Sequence, residues 1–181
     1  MRITTGKYKG RNIIPPKGIR PTQDKVRKAI FDILGDIEGL SFLELFAGSG
    51  AVGFEALSRG AGELTLVERN PGSLLAIKKN LELLRPEGCV LYPLDIQKAI
   101  KSFYESRKRF DIIFLDPPYY QDLAKKTLQT LEGYDILAPD GLIITQHFKK
   151  ESLPDDLGVL SLFRQYKYSD TLLTIYMKRE P

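Results

Sequence analysis

The 181 residues, 43% hydrophobic and 28% charged, give room for one domain-sized core and exclude a second full domain. A single cysteine and a single histidine exclude an internal disulfide and a closed zinc site, and no apolar run has the roughly 20 residues of a membrane span. Net charge is +4, but residues 1–28 hold nine basic side chains against the acid Asp24, so this segment carries +8 and the remainder −4, a basic arm suited to phosphates on a mildly acidic body.

In chain order, residues 1–21 come first. Of these, Met1 to Arg11 is basic and polar where a signal peptide would be apolar, so a cytoplasmic, unexported protein is expected. Ile3, Tyr8, Ile13 and Ile14, with Gly6, Gly10 and the Pro15-Pro16 stop, predict two short strands. A hairpin this small needs docking to be stable. It forms a basic N-terminal extension, and the main domain spans 22–181. Thr22 is placed to cap a helix whose face is Val26, Ala29, Ile30, Ile33 and Leu34 and which ends at Gly35.

After Gly39, apolar runs at 42–46, 64–68, 90–95, 111–116 and 142–145 alternate with helical stretches at 51–58, 73–84, 97–108 and 122–131. Repeated strand-helix units give an α/β fold with a mostly parallel sheet. Residues 160–168 and 171–177 follow one another across Ser169-Asp170 with no helix between, which predicts an antiparallel hairpin at one sheet edge. Cys89, at the start of the third strand, is expected to be a small apolar core residue with no redox role.

In such a sheet ligands bind at the carboxyl ends of the strands. The first strand runs into Phe46-Ala47-Gly48-Ser49-Gly50 and a helix containing Gly53, a loop able to hold NAD, a flavin or S-adenosylmethionine, or only to pack helix on strand. The second ends in Glu68, placed to accept hydrogen bonds from both ribose hydroxyls of a nucleoside lying across the loop. The third ends in Asp95, placed either for an adenine amino group or as an ordinary helix N-cap. Glu44 precedes the loop, where a buried carboxylate is costly unless it faces a cation, such as the sulfonium or ammonium of a cofactor.

The fourth strand ends in Asp116-Pro117-Pro118-Tyr119. Two prolines lack amide hydrogens and fix φ, leaving a rigid array of acceptors. The Asp116 carboxylate and the Pro117 carbonyl are suited to accept the two hydrogens of an exocyclic base amine, and Tyr119 to stack on a flipped base.

Here the chain resembles the class I methyltransferases that act on amino groups, and specifically the bacterial 16S ribosomal RNA guanine-N2 methyltransferase family of the RsmD type. The likeness runs nearly end to end. It rests on Arg2-Ile3, Gly6, Gly10-Arg11, Arg20-Pro21-Thr22 with Asp24, Val26 and Arg27, the glycine loop, Glu55-Ala56-Leu57-Ser58-Arg59-Gly60-Ala61, the tetrad, and Tyr168, Asp170-Thr171 and Tyr176. The glycine loop and tetrad are shared by many methyltransferases, whereas the segments at 20–22 and 55–61 are narrower signals.

The resemblance implies a Rossmann-like class I methyltransferase fold over 22–181, with a seven-stranded sheet. S-adenosylmethionine is the implied donor, and a guanine in 16S ribosomal RNA or a small-subunit assembly particle the acceptor. Asp116, Pro117 and Tyr119 become catalytic. Glu44, Phe46, Gly48, Ser49, Gly50, Glu68, Asp95 and Asp116 become cofactor contacts, with no metal. The extension would grip RNA through Lys7, Lys9 and Arg11, with Arg20 and Thr22 lining the pocket; a monomer is expected. Where the family often carries an acid after the fifth strand this chain has Gln146-His147, to which no role is assigned. The alternatives are an amine methyltransferase acting on adenine in RNA or DNA, and a catalytically silent RNA-binding assembly factor. The second would be expected to show a damaged loop or tetrad; an NAD enzyme fails on the tetrad.

Overall fold

Runs such as 42–45 and 112–115, buried on both faces, become strands, and longer stretches between the strands become helices, in a computed structural model that describes residues 1–18, 24–119 and 122–179. The chain divides into two units, Met1–Asp95 and Ile96–Pro181.

The first unit contains α1 (Asp24–Leu34), β1 (Ser41–Leu45), α2 (Ala51–Ser58), β2 (Glu63–Val67), α3 (Pro71–Leu84) and β3 (Cys89–Tyr92). Its strands lie in the order β3-β2-β1, all parallel. Leu45 pairs with Val67, so the ends of β1 and β2 are level and Phe46 and Glu68 leave the sheet side by side. Phe42, Leu43, Leu45, Leu64, Leu66 and Val67 are fully buried, as expected of parallel strands covered on both faces. Helix α3 starts on Pro71, with Asn70 Oδ1 accepting the N–H groups of Gly72 at 2.9 Å and Ser73 at 3.1 Å.

Unlike the amphipathic α1, α2 is buried at all eight of its positions. The N-terminal segment helps to cover it. Residues 1–13 fold back on themselves through Ile3 N–H to the Arg11 carbonyl (3.0 Å), Gly10 N–H to the Ile3 carbonyl (2.9 Å) and Ile13 N–H to the Met1 carbonyl (2.8 Å). The two short strands expected here do not form: a single isolated bridge joins Arg2 and Asn12. The segment docks through the end of α2. Lys7 N–H donates to the Ser58 carbonyl at 2.8 Å, Tyr8 N–H to Ser58 Oγ at 2.9 Å, and Ser58 Oγ to the Thr5 carbonyl. A Cβ on Gly6 would fall 1.5 Å from the Ser58 carbonyl oxygen, so only glycine fits there.

A buried charge cluster completes the junction. Both oxygens of Glu55, wholly buried, are engaged: Oε2 accepts from Thr4 N–H (2.8 Å), and Oε1 from Thr4 Oγ1 (2.6 Å) and Arg59 Nε (3.0 Å). Arg27, 1% exposed, lies with Nε 3.9 Å from Glu55 Oε2 and donates through Nη2 to the Arg2 carbonyl (2.7 Å) and Asp24 Oδ1 (2.9 Å). Extension, α1 and α2 are thereby tied to one carboxylate.

The second unit contains α4 (Ile96–Glu105), β4 (Phe110–Leu115), α5 (Leu123–Gly133), β5 (Leu137–Phe148), β6 (Asp156–Leu157), β7 (Leu160–Tyr168) and β8 (Thr171–Lys178). The order is β4-β5-β8-β7-β6, with β4 and β5 parallel and the rest antiparallel. The β7-β8 hairpin turns at Ser169-Asp170 as expected. Two features differ from the sequence reading. Strand β5 starts at Leu137, and its pairing jumps from Phe110↔Leu137 to Ile112↔Leu142 around Pro139-Asp140-Gly141. The two-residue β6 brings the strands among the described residues to eight, one more than the seven expected. No helix among the described residues is long and apolar enough to cross a membrane.

Candidate active site

In the first unit the end of β1 bends sharply. Phe46 takes φ +58°, a left-handed conformation costly for a side-chain-bearing residue, followed by Gly48 at +58° and Gly50 at +74°. Gly50 N–H closes the turn on the Ala47 carbonyl at 2.7 Å, and a Cβ at Gly50 would lie 2.7 Å from the Phe54 ring. Glu68, 8% exposed, braces this loop from β2: Oε2 accepts Gly48 N–H at 2.9 Å, while Oε1 accepts Arg69 N–H at 2.7 Å and Asn70 N–H at 2.8 Å.

Glu44 is 3% exposed, and its Oε2 accepts the Gly53 N–H at 2.8 Å. A Cβ at Gly53 would lie 2.7 Å from that oxygen, so the glycine allows the helix to approach the carboxylate. Burial, helped by the Glu44 charge, pushes the Cys89 thiol up to about 12, leaving it no appreciable thiolate at neutral pH. Ser49 is buried, and its carbonyl accepts Asn80 Nδ2 at 3.0 Å. Asp95 pairs through Oδ2 with Arg69 Nη1 at 2.9 Å.

In the second unit Asp116 follows β4 half-buried, Pro117 is buried and Pro118 exposed. Tyr119 is held in place. Its hydroxyl is 3.2 Å from Thr171 Oγ1, and its ring centroid is 5.9 Å from that of Phe148. Thr171 and Phe148 are partners across β8 and β5, so the hairpin that closes the sheet also fixes the tetrad's tyrosine. His147 is fully buried with Nε2 2.7 Å from Thr174 Oγ1, and burial holds its pKa below the ordinary 6.5, so it is neutral at pH 7.

On the extension Lys7, Lys9 and Arg11 are exposed. Lys7 lies 3.8 Å from Glu87, and Arg11 donates to the Leu84 carbonyl at the end of α3 at 3.3 Å. Arg20 and Thr22 lie outside the described residues, and with them the expected cap of α1. Among the described residues no group of three or more His, Cys, Asp or Glu side chains is placed to hold a metal ion.

A family model described as conserved hypothetical protein 95 matches residues 1–177. The chain belongs to that family. The chain's curated relatives bear out the RsmD-type likeness read from its motifs. It is 32% identical over 181 residues to Ribosomal RNA small subunit methyltransferase D of Escherichia coli K12, covering 98% of this chain and 90% of that protein. It is 36% identical over 159 residues to the protein of the same name from Buchnera aphidicola of Acyrthosiphon pisum, covering 83% and 80%. Among solved structures, the hypothetical protein TTHA0928 of Thermus thermophilus superposes with a TM-score of 0.86 at 32% identity, over 99% of each chain. SMU.776, solved in complex with SAH, shares the fold at a TM-score of 0.70 and 20% identity, over 88% of this chain and 50% of that one.

Proposed function

We propose that this chain transfers a methyl group from S-adenosylmethionine to the exocyclic N2 of a guanine in 16S ribosomal RNA, free or in an assembling small-subunit particle. The reading rests on one observation, an undamaged pair of strand-end motifs in a chain whose curated relatives are named for small-subunit ribosomal RNA methylation: the Glu68-braced glycine loop and the Thr171-tethered tetrad.

The loop residues fit the donor. Left-handed Gly48 and Gly50 leave backbone bare of side chains for close approach. A carboxylate offers about four lone-pair positions, and Glu68 uses three of them on amide hydrogens, which leaves one on Oε2 for a single ribose hydroxyl. Phe46, Ser49 and Asp95 border the same strand ends, and Glu44 supplies negative charge behind the loop. When bound, S-adenosylmethionine supplies a methyl group made electrophilic by its sulfonium.

The chain's own work is positioning. Asp116 Oδ and the Pro117 carbonyl accept the amine hydrogens and aim the nitrogen. The prolines offer no competing N–H, and the Tyr119 ring, restrained by Thr171 at its hydroxyl and by the Phe148 ring, stacks on the base. Lys7, Lys9 and Arg11 hold the RNA backbone, and Arg20 and Thr22 line the target or cofactor pocket. Because Arg11 also caps α3, Lys7→Glu with Lys9→Glu is the cleaner test of the arm. The pair is expected to weaken RNA binding and to reduce the slope of log affinity against log salt by roughly one to two. A filter-binding titration with an unchanged slope would remove the arm from the interface.

A further inference from the structure

Helix α3 turns Ala76, Ile77 and Leu84 into the core, and on the same face, four residues from both Ala76 and Leu84, stands Asn80 at 0% exposure. A carboxamide so deeply buried is costly unless its donors and acceptor are met. They are met by two distant backbone segments. Oδ1 accepts the Ile14 N–H at 2.8 Å, and Nδ2 donates to the Ile14 carbonyl at 3.0 Å and to the Ser49 carbonyl at 3.0 Å. Ile14 lies in the basic extension just before Pro15-Pro16. Ser49 lies in the glycine loop, flanked by left-handed Gly48 and Gly50.

The carboxamide is planar, so its donors and acceptor move together. The Ser49–Gly50 peptide is held at both of its polar ends: Gly50 N–H on the Ala47 carbonyl, and the Ser49 carbonyl on Asn80. A displacement of Ile14 therefore reaches the loop through a single rigid group. We infer that Asn80 is a positioning residue that couples the extension to the donor loop, so that RNA on the extension tightens the loop on its nucleoside and a filled loop tightens RNA binding. The coupling rests on the function proposed above, and by linkage the two effects are equal.

The test is calorimetric, with full-length protein, S-adenosylhomocysteine and 16S RNA transcribed in vitro. In the unaltered protein, saturating RNA is expected to raise S-adenosylhomocysteine affinity at least about fivefold, with the same factor in reverse. In Asn80→Ala each ligand alone still binds and the factor falls to about one. If that variant does not fold, amide hydrogen exchange of residues 46–50 in the unaltered protein decides: slowing on addition of RNA alone supports the coupling, and no change overturns it. Two ligands that bind the unaltered protein independently, or a full coupling factor in Asn80→Ala, overturn the coupling and leave the proposed function standing. Absence of binding both to this RNA and, in a second titration, to small ribosomal subunits overturns the proposed function and the coupling with it.

Discussion

Asp116→Ala is expected to lower methyl transfer by at least ~10²–10³-fold, measured as label incorporated from S-adenosylmethionine, while S-adenosylhomocysteine affinity changes by less than about threefold. The asymmetry follows from the proposed division of labour. The donor is held chiefly by the β1 loop and Glu68, whereas the Asp116 carboxylate accepts hydrogen from the amine. Asp116→Asn should fall between the two, since its carboxamide oxygen still accepts one hydrogen but its NH2 opposes the amine. Turnover near the unaltered rate in Asp116→Ala would remove the carboxylate from the mechanism.

Glu55→Ala should be the most destabilising single change outside the apolar core. It strips Arg27, whose side chain is 2% exposed, of its buried counter-charge and leaves only Asp24, which is 70% exposed. It also leaves Thr4 N–H without its acceptor. Removing one partner of a buried pair costs about 3–5 kcal/mol, or roughly a 10 °C loss of Tm in a chain of this size. Asp32→Ala, which breaks the exposed 2.9 Å pair with Lys28, should cost under ~0.5 kcal/mol. Thermal melts of the two variants within about 2 °C of each other would contradict the assignment of the junction to Glu55.

That junction also explains a motif visible in the sequence without a visible reason. The run from Glu55 to Ala61 is a narrow family signal, yet its chemistry is structural: Glu55 and Ser58 accept from the backbone and hydroxyls of residues 4–8, and Arg59 donates to the Thr5 hydroxyl. The parallel strands were legible because Ile112–Leu115 reads as a continuous apolar run and Phe42–Leu45 as one broken only by Glu44. The start of β5 was not, because Pro139-Asp140-Gly141 has the composition of a turn. The sheet tolerates it by bulging, with Gly141 so close to the Asp111 carbonyl that a Cβ would lie 2.9 Å away. Strand β6, two residues long, leaves no hydropathy pattern at all.

At the site, spacing pointed to the loop, Glu68 and the tetrad, because each follows directly from a strand. Second duties escaped it. Glu68 braces Gly48 only because β1 and β2 end level, and Thr171 reaches Tyr119 only through the β5-β8 register. Asn80 did leave a trace, a polar residue on the apolar face of α3. Its partners, 66 and 31 residues away in sequence, belong to the tertiary fold.

The central claim is the amine and its RNA. Small ribosomal subunits from a strain lacking this protein are incubated with it and labelled S-adenosylmethionine, and the modified nucleoside is identified by mass spectrometry. N2-methylguanosine in the 16S RNA is the predicted product. A methylated adenosine, or no incorporation into subunits, free RNA or DNA, would contradict it.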